Sequence, residues 1–259
     1  RIIEGLIFIC LGDDPPDLDN VARDIATFFK PHGLTQAKIC QRSRHTIRAN
    51  WKVVLENFWE CYHCGPAHPE LGRVMSYVRA VDSPRAAERW AGDIEKWEAR
   101  TDLMGHRIGR AGDPRGLNHE VVRIPIRDGF VTQSSDGKPV APLMGDFNEY
   151  DGGVTAIQWY PLNWFVACND HAMLSRFTPV SPTETEGELT WLVHEDAVEG
   201  VDYNPDEVTW LWRKTMEQDV TLCENAQMGI NSRHYRPGPY SKSEQSVEKL
   251  IQRYLEQIA

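Results

Sequence analysis

The chain has 259 residues, 41% hydrophobic and 25% charged, with 38 acidic against 28 basic side chains and a formal net charge of −10 at pH 7. That length is enough for one large domain or two small ones. The acidic balance and the lack of a basic stripe argue against a nucleic-acid partner and leave a cationic or neutral small molecule, and no apolar run approaches the roughly 20 residues of a membrane-crossing helix.

The opening "RIIEGLIFICLG" sets an acidic residue just ahead of a short apolar run, which is not the layout of a secretory signal. Gly5 to Leu11 has the length of a buried strand. With no initiator Met, the chain reads as the downstream part of a longer polypeptide. "GDDPPDLDN" is a turn into a short helix, "VARDIATFF", which Lys30-Pro31 ends. "LTQAKICQRSRHTIRAN" alternates as one or two strands. From Trp51 the period turns helical, with Val54, Leu55, Phe58 and Tyr62 on one face until Gly65-Pro66 breaks it.

Residues 80–120 are polar and Gly-rich, anchored by Trp90 and Trp97, and read as a surface excursion. Strand-like segments follow at "HEVVRIPI", "TAIQWYPLNWFVAC", "HAMLSRFTPVS" and "ELTWLVHEDA", the last two joined by the polar turn "PTETEGE". A long helix spans roughly Pro205 to Met228, with Pro in its first turn and Gly229 beyond its end. An amphipathic helix, "SEQSVEKLIQRYLEQI", closes the chain. Strands followed by long helices make an α+β fold, a curved antiparallel sheet around the long C-terminal helix. Cysteines 10, 40, 61, 64, 168 and 223 have no framework spacing, which predicts free thiols in a reducing cytoplasm.

The chemistry concentrates in "NFWECYHCGPAHPEL", residues 57–71. A helix end with packed Cys and His is the plain reading. A zinc site of Cys61, His63, Cys64 and His68 would crowd four ligands into eight residues, whereas structural zinc sites join two separated pairs. Cys61-Tyr62-His63 and Cys168-Asn169-Asp170-His171 match the two halves of a Rieske cluster motif by letter, but they lie over a hundred residues apart and the match reads as accidental.

A mononuclear non-haem iron held by two His and one carboxylate is the fourth reading. His63 and His68 point about 140° apart on an unbroken helix, so the Gly65-Pro66 break has to bring them together. Asp219 is the best carboxylate. It shares a stripe of the long helix with Trp212, Thr215, Leu222, Cys223 and Ala226, and an acid on such a buried stripe needs a cation or a basic partner.

"NWKVVLENFWECYHCGPAHPEL" resembles the iron-binding segment of Rieske non-haem iron oxygenase α subunits, and "QDVTLCENAQMG" and "YRPGPYSKSE" carry family-like features. The resemblance covers essentially the whole chain and implies the family's catalytic domain, a helix-grip fold of the START/Bet v 1-like kind, over residues 13–259. Residues 1–12 would then be the last strand of a preceding Rieske domain. It further implies Fe(II) on His63, His68 and Asp219, with a [2Fe-2S] Rieske cluster in that preceding domain. A reductase or ferredoxin donor, O2 as co-substrate, a homotrimer, and neither membrane nor nucleic acid as partner belong to the same expectation.

Glu60 holds the position of the family's acidic bridge for electrons from a neighbouring subunit's cluster. Ring-hydroxylating dioxygenases usually carry Asp there, so the Glu looks more like the branch acting on glycine betaine, carnitine or proline betaine. The implied reaction is hydroxylation next to nitrogen with N-demethylation. Aromatic ring hydroxylation is the alternative enzyme reading, and a helix-grip protein holding an apolar ligand is the non-enzyme one. A quaternary ammonium is recognised by aromatic faces, and Trp212, Phe58, Trp59, Trp164 and Phe165 are the candidates.

Overall fold

The computed structural model describes residues 1–80, 83–113, 119–160 and 163–259. Its centre is a seven-stranded antiparallel sheet of β3 (Ala37–Ile47), β4 (Gly109–Gly112), β5 (His119–Pro125), β6 (Gly153–Trp159), β7 (Asn163–Ala167), β8 (Ala172–Ser181) and β9 (Glu184–His194), in the order β3-β9-β8-β7-β6-β5-β4. Alternation sets the two faces. Along β9, Thr185, Gly187, Leu189, Trp191 and Val193 are buried while their neighbours are less so, the period of two that a pleated strand imposes.

On one face lies the long helix α6 (Pro205–Ile230), capped by Asn204, whose side chain accepts from the Asp206 N–H. Leu211, Trp212, Met216 and Cys223 pack here against Ile47, Val166, Met173, Leu189 and Trp191. On the other face sits α1 (Asp19–Phe29), whose Val21, Ile25, Phe28 and Phe29 meet Val121, Ile157, Phe165 and Ala167. Helix α2 (Trp51–Trp59) follows β3 and contacts α6. The closing helix α7 (Gln245–Ile258) then clamps α2 through Val247 and Leu250 on Leu55 and Trp59. Among the described residues no helix is long and apolar enough to cross a membrane.

Four sequence expectations change. The buried strand expected over 5–11 is absent: β1 (Ile2–Ile3) and β2 (Leu6–Ile7) form a hairpin around Glu4 and Gly5, both at positive φ, and Ile9 and Leu11 are 83% and 97% exposed. The polar excursion contains the 20-residue helix α5 (Pro84–Leu103), buried at Trp97 and Thr101. Its signals are the Ser83 cap, which accepts from the Ala86 N–H, and Pro84 in the first turn. Positions 81–82 and 114–118 of that stretch lie outside the described residues. The segment 155–168 is two strands, β6 and β7, paired with Trp159 opposite Asn163, and its positions 161–162 are likewise outside. Most of the expected turn "PTETEGE" belongs to β9, leaving Pro182 and Thr183 between the strands.

Candidate metal centre

Helix α2 starts at the Asn50 cap and ends at Trp59, because Glu60 is fully extended (φ −130, ψ 168). The chain then turns into α3 (Cys64–Ala67), a single turn, and α4 (Pro69–Val74), with Pro69 in its first turn. The helix therefore breaks at Glu60 rather than at Gly65-Pro66, which lie inside α3. Tyr62 leaves the buried face of α2 and is 63% exposed. His63 stands at the N-cap position just ahead of α3, and His68 stands between α3 and α4. Two helix ends, not one helix face, carry the two imidazoles.

The rings meet edge to face, with 3.1 Å between the two Nε2 atoms. Asp219, on α6 and 3% exposed, places Oδ1 3.3 Å from His63 Nε2 and 3.0 Å from His68 Nε2. Leu222 and Ala226, expected beside it on the buried stripe, are half-buried and exposed, and Gln227 is the buried residue of that last turn. Ligands sharing one face of an octahedron at about 2.1 Å from an ion stand about 3.0 Å apart. The triangle of 3.1, 3.3 and 3.0 Å fits such a cation.

Outer partners fix both rings. Glu60 Oε1 accepts from His63 Nδ1 at 2.5 Å, and a second Glu60 oxygen accepts from the Tyr62 N–H. Gln218 Oε1 accepts from His68 Nδ1 at 2.8 Å, and Gln218 Nε2 in turn donates to Glu70. With each Nδ1 committed, each Nε2 is directed at the common centre, as metal-ligating histidines require. Asn57 Nδ2 donates to Asp219 Oδ1 at 2.8 Å.

Burial alone would raise the Asp219 carboxyl, but hydrogen bonds from His63, His68 and Asn57 hold it below its ordinary value. Burial pushes His63 down, yet its bonds to Asp219 and Glu60 prevail and lift it to about 9. A divalent cation between these donor atoms would compete with the His63 proton for the same place.

Asn57, Gln218 and Glu70 escaped the sequence reading. Gln218 is a neighbour of Asp219 on α6, about 100° around the helix, so no stripe contains both. The signal for it is chemical: a ligating histidine needs an acceptor for its other nitrogen.

Cys61 and Cys64 form a disulfide, which corrects the expectation of free thiols throughout. The extended Glu60 and the turn after it bring their Cα atoms to 4.9 Å, within bridging range. Cys10, Cys40, Cys168 and Cys223 are free.

A cavity of about 480 Å³ opens at the centre, lined by Phe58, Trp59, Trp164 and Trp212, and by Tyr77 and Trp90. Trp164 and Trp212 meet edge to face with centroids 4.5 Å apart, and Trp212 Nε1 donates to Gln133. Phe165 does not line it. Adjacent strand residues point to opposite faces, so Phe165 packs on Phe29 beneath the sheet, centroids 4.9 Å apart. Glu60, Glu120 and Asp219 supply acid to the lining, and Arg110 is the one Lys or Arg among the described lining residues.

The glycine betaine monooxygenase oxygenase subunit of Pseudomonas aeruginosa (strain UCBPP-PA14) is 37% identical over 244 residues, 92% of this chain and 56% of that protein. The same-named subunit of Chromohalobacter salexigens is 35% identical over 240 residues, 92% of this chain and 54% of its own. The chain spans about half the length of the curated relatives it matches. In fold it resembles the quaternary ammonium Rieske monooxygenase CntA crystallised with L-carnitine, at a TM-score of 0.63 and 17% identity, over 99% of this chain and 59% of that one. A family profile, the ring-hydroxylating alpha subunit (catalytic domain), matches residues 34–259. This chain belongs to the family of ring-hydroxylating α subunits, and its large antiparallel sheet is that of their catalytic domain.

Proposed function

We propose that the chain is the catalytic part of a Rieske-type oxygenase that hydroxylates a quaternary ammonium compound at a carbon next to nitrogen. The observation that carries this is the convergence of His63, His68 and Asp219 within 3.3 Å of one another at the head of an aromatic cavity. In this reading residues 13–259 are the catalytic unit, residues 1–12 the edge of a Rieske domain, and the sheet gripping α6 a helix-grip fold.

Iron bound there would activate O2 for insertion into a C–H bond. The chain's own residues supply the rest. Glu60 and Gln218 hold the two imidazole tautomers, and Asn57 orients Asp219. Phe58, Trp164 and Trp212 offer ring faces to a cation that has no N–H to donate, each contact worth roughly 0.5–2 kcal/mol depending on desolvation. Glu60 and Asp219 add negative charge nearby. The apolar wall of Leu71, Val154 and Val166 keeps water from the reacting carbon. A hydroxylated N-methyl group is a hemiaminal and collapses to formaldehyde and the demethylated amine.

Glu60 reaches His63 from outside the triad, with its side chain 12% exposed. We assign it the electron bridge to a neighbouring subunit's [2Fe-2S] Rieske cluster, which places the chain in a homotrimer fed by a reductase or ferredoxin. The relatives named for glycine betaine support the substrate class.

The test is product analysis of the full-length protein with a reductase, offered betaines and simple arenes. Formaldehyde in step with betaine consumption is expected. Turnover of arenes alone would replace this reading with ring hydroxylation, and an iron-free protein that binds apolar ligands would make it a carrier.

A further inference from the structure

The Cys61–Cys64 disulfide lies within the metal centre. Cys64 directly follows His63, is buried, and its sulfur is 4.0 Å from His63 Nε2. His63, Cys64 and His68 each offer a donor atom, and these atoms all lie within 4.8 Å of one another. For a tetrahedral zinc with nitrogen and oxygen ligands at about 2.05 Å and sulfur at about 2.3 Å, neighbouring donors stand about 3.3–3.6 Å apart. His63, His68 and Asp219 already stand 3.0 to 3.3 Å apart, and the sulfur, 4.0 Å from His63 Nε2 and within 4.8 Å of the His68 donor atom, would complete the set by moving inward. What withholds it is its bond to Cys61.

We propose that the Cys61–Cys64 disulfide is a redox gate on the ligand set, resting on the assignment of the triad as the iron site. Closed, it leaves two imidazoles and a carboxylate, a hard set with open positions. Opened by a dithiol, the bond takes up two electrons and two protons, giving two thiols while the donor becomes a disulfide. Cys64 then loses its proton to solvent on binding a metal and adds a thiolate to the triad. A fourth, soft ligand favours zinc in a closed tetrahedral site and fills a position that O2 or substrate requires. Cys61 lines the cavity, so a small reductant has a route to the bond. In a reducing compartment the closed form has to be maintained against the surrounding thiols, which makes the gate a sensor of thiol poise.

The experiment uses Co(II) as the probe, on the full chain prepared oxidised and prepared reduced with a phosphine that is then removed anaerobically. Oxidised protein is expected to bind Co(II) with weak visible bands only. Reduced protein is expected to add an intense near-ultraviolet thiolate-to-cobalt band and to hold Zn(II) at least tenfold more tightly by chelator competition. Cys64→Ser should lack the band in both states, whereas Cys61→Ser should show it without any reductant. Binding of Co(II) in both states with identical spectra and zinc affinities within threefold would overturn the gate while leaving the triad intact. A band that persisted in reduced Cys64→Ser would also overturn it, assigning the thiolate to another cysteine. Failure of oxidised protein to bind Co(II) at all would instead refute the triad. Should either variant fail to fold, the oxidised and reduced wild-type pair decides alone.

Discussion

Asn57 on α2 donates to the Oδ1 of Asp219 on α6, the same oxygen that faces both imidazoles, so one 2.8 Å bond ties the helix preceding the motif to the helix that completes it. Asn57→Ala leaves that carboxylate free to rotate away. Metal affinity should fall about 10- to 100-fold, the usual cost of losing an outer partner of a ligand, with the circular dichroism spectrum unchanged. Competition with a chromogenic chelator measures it, and an affinity within twofold of wild type would show that packing alone positions Asp219.

Gln218→Ala removes the acceptor for His68 Nδ1 and detaches Glu70 from the site. A similar loss of affinity is expected, and Gln218→Glu combined with Glu70→Gln, which keeps an acceptor for His68 and a donor between the two side chains, should restore most of it. If both variants bound equally poorly, the defect would lie in helix packing rather than in ring orientation.

Glu60→Gln keeps an oxygen that accepts from His63 Nδ1 but removes the negative charge. Iron content should stay near wild type while turnover driven by a reductase falls at least tenfold. Loss of iron in a folded variant would place Glu60 among the groups that hold the metal rather than among those that pass electrons.

His32 gives a pH dependence unrelated to the metal. It is buried between Cys168 and Thr155, and burial together with the nearby Arg123 guanidinium lowers its pKa to about 3. The unfolded chain takes up that proton near pH 6.5, so the folded state binds fewer protons between about 3 and 6.5. Stability from this group is therefore complete above pH 6.5 and declines as pH falls through that window, by up to about 1.4 kcal/mol per pH unit. Urea unfolding of His32→Gln against wild type from pH 7 to 4 should show a flatter pH slope in the variant, whatever its absolute stability. Equal slopes would assign acid sensitivity elsewhere.

The sequence made the long elements legible because their periodicities are strong. Helix α6 carries Pro in its first turn and a buried stripe through Trp212, Thr215 and Asp219, and the strands alternate. It misplaced what depends on backbone angles at single residues. Glu60 has a helix-compatible side chain but an extended backbone, so the reading carried α2 past Trp59 as far as the Gly65-Pro66 pair. Helix α5 was hidden because its buried face holds only Trp97 and Thr101 in an otherwise polar segment. Phe165 was grouped with Trp164 although strand geometry forbids a shared face. Gln218 and Glu70 have no pattern of their own, since their place is set by where His68 Nδ1 points once the fold is complete.

Trp212 and Trp164 meet at the cavity, centroids 4.5 Å apart. Trp212→Ala should weaken binding of a trimethylammonium ligand by about 3- to 30-fold, the range of one cation–π contact, with little effect on an uncharged isostere of the same shape. Calorimetric titration with the matched pair checks it, and equal losses for both would reduce Trp212 to an apolar wall.

Metal analysis of the purified full-length protein tests the central claim most directly. Iron should be found at about one mononuclear ion per chain beyond any in a Rieske cluster, and it should be lost in each of His63→Ala, His68→Ala and Asp219→Ala while the fold persists. A mononuclear site that kept its iron in all three variants would contradict the account.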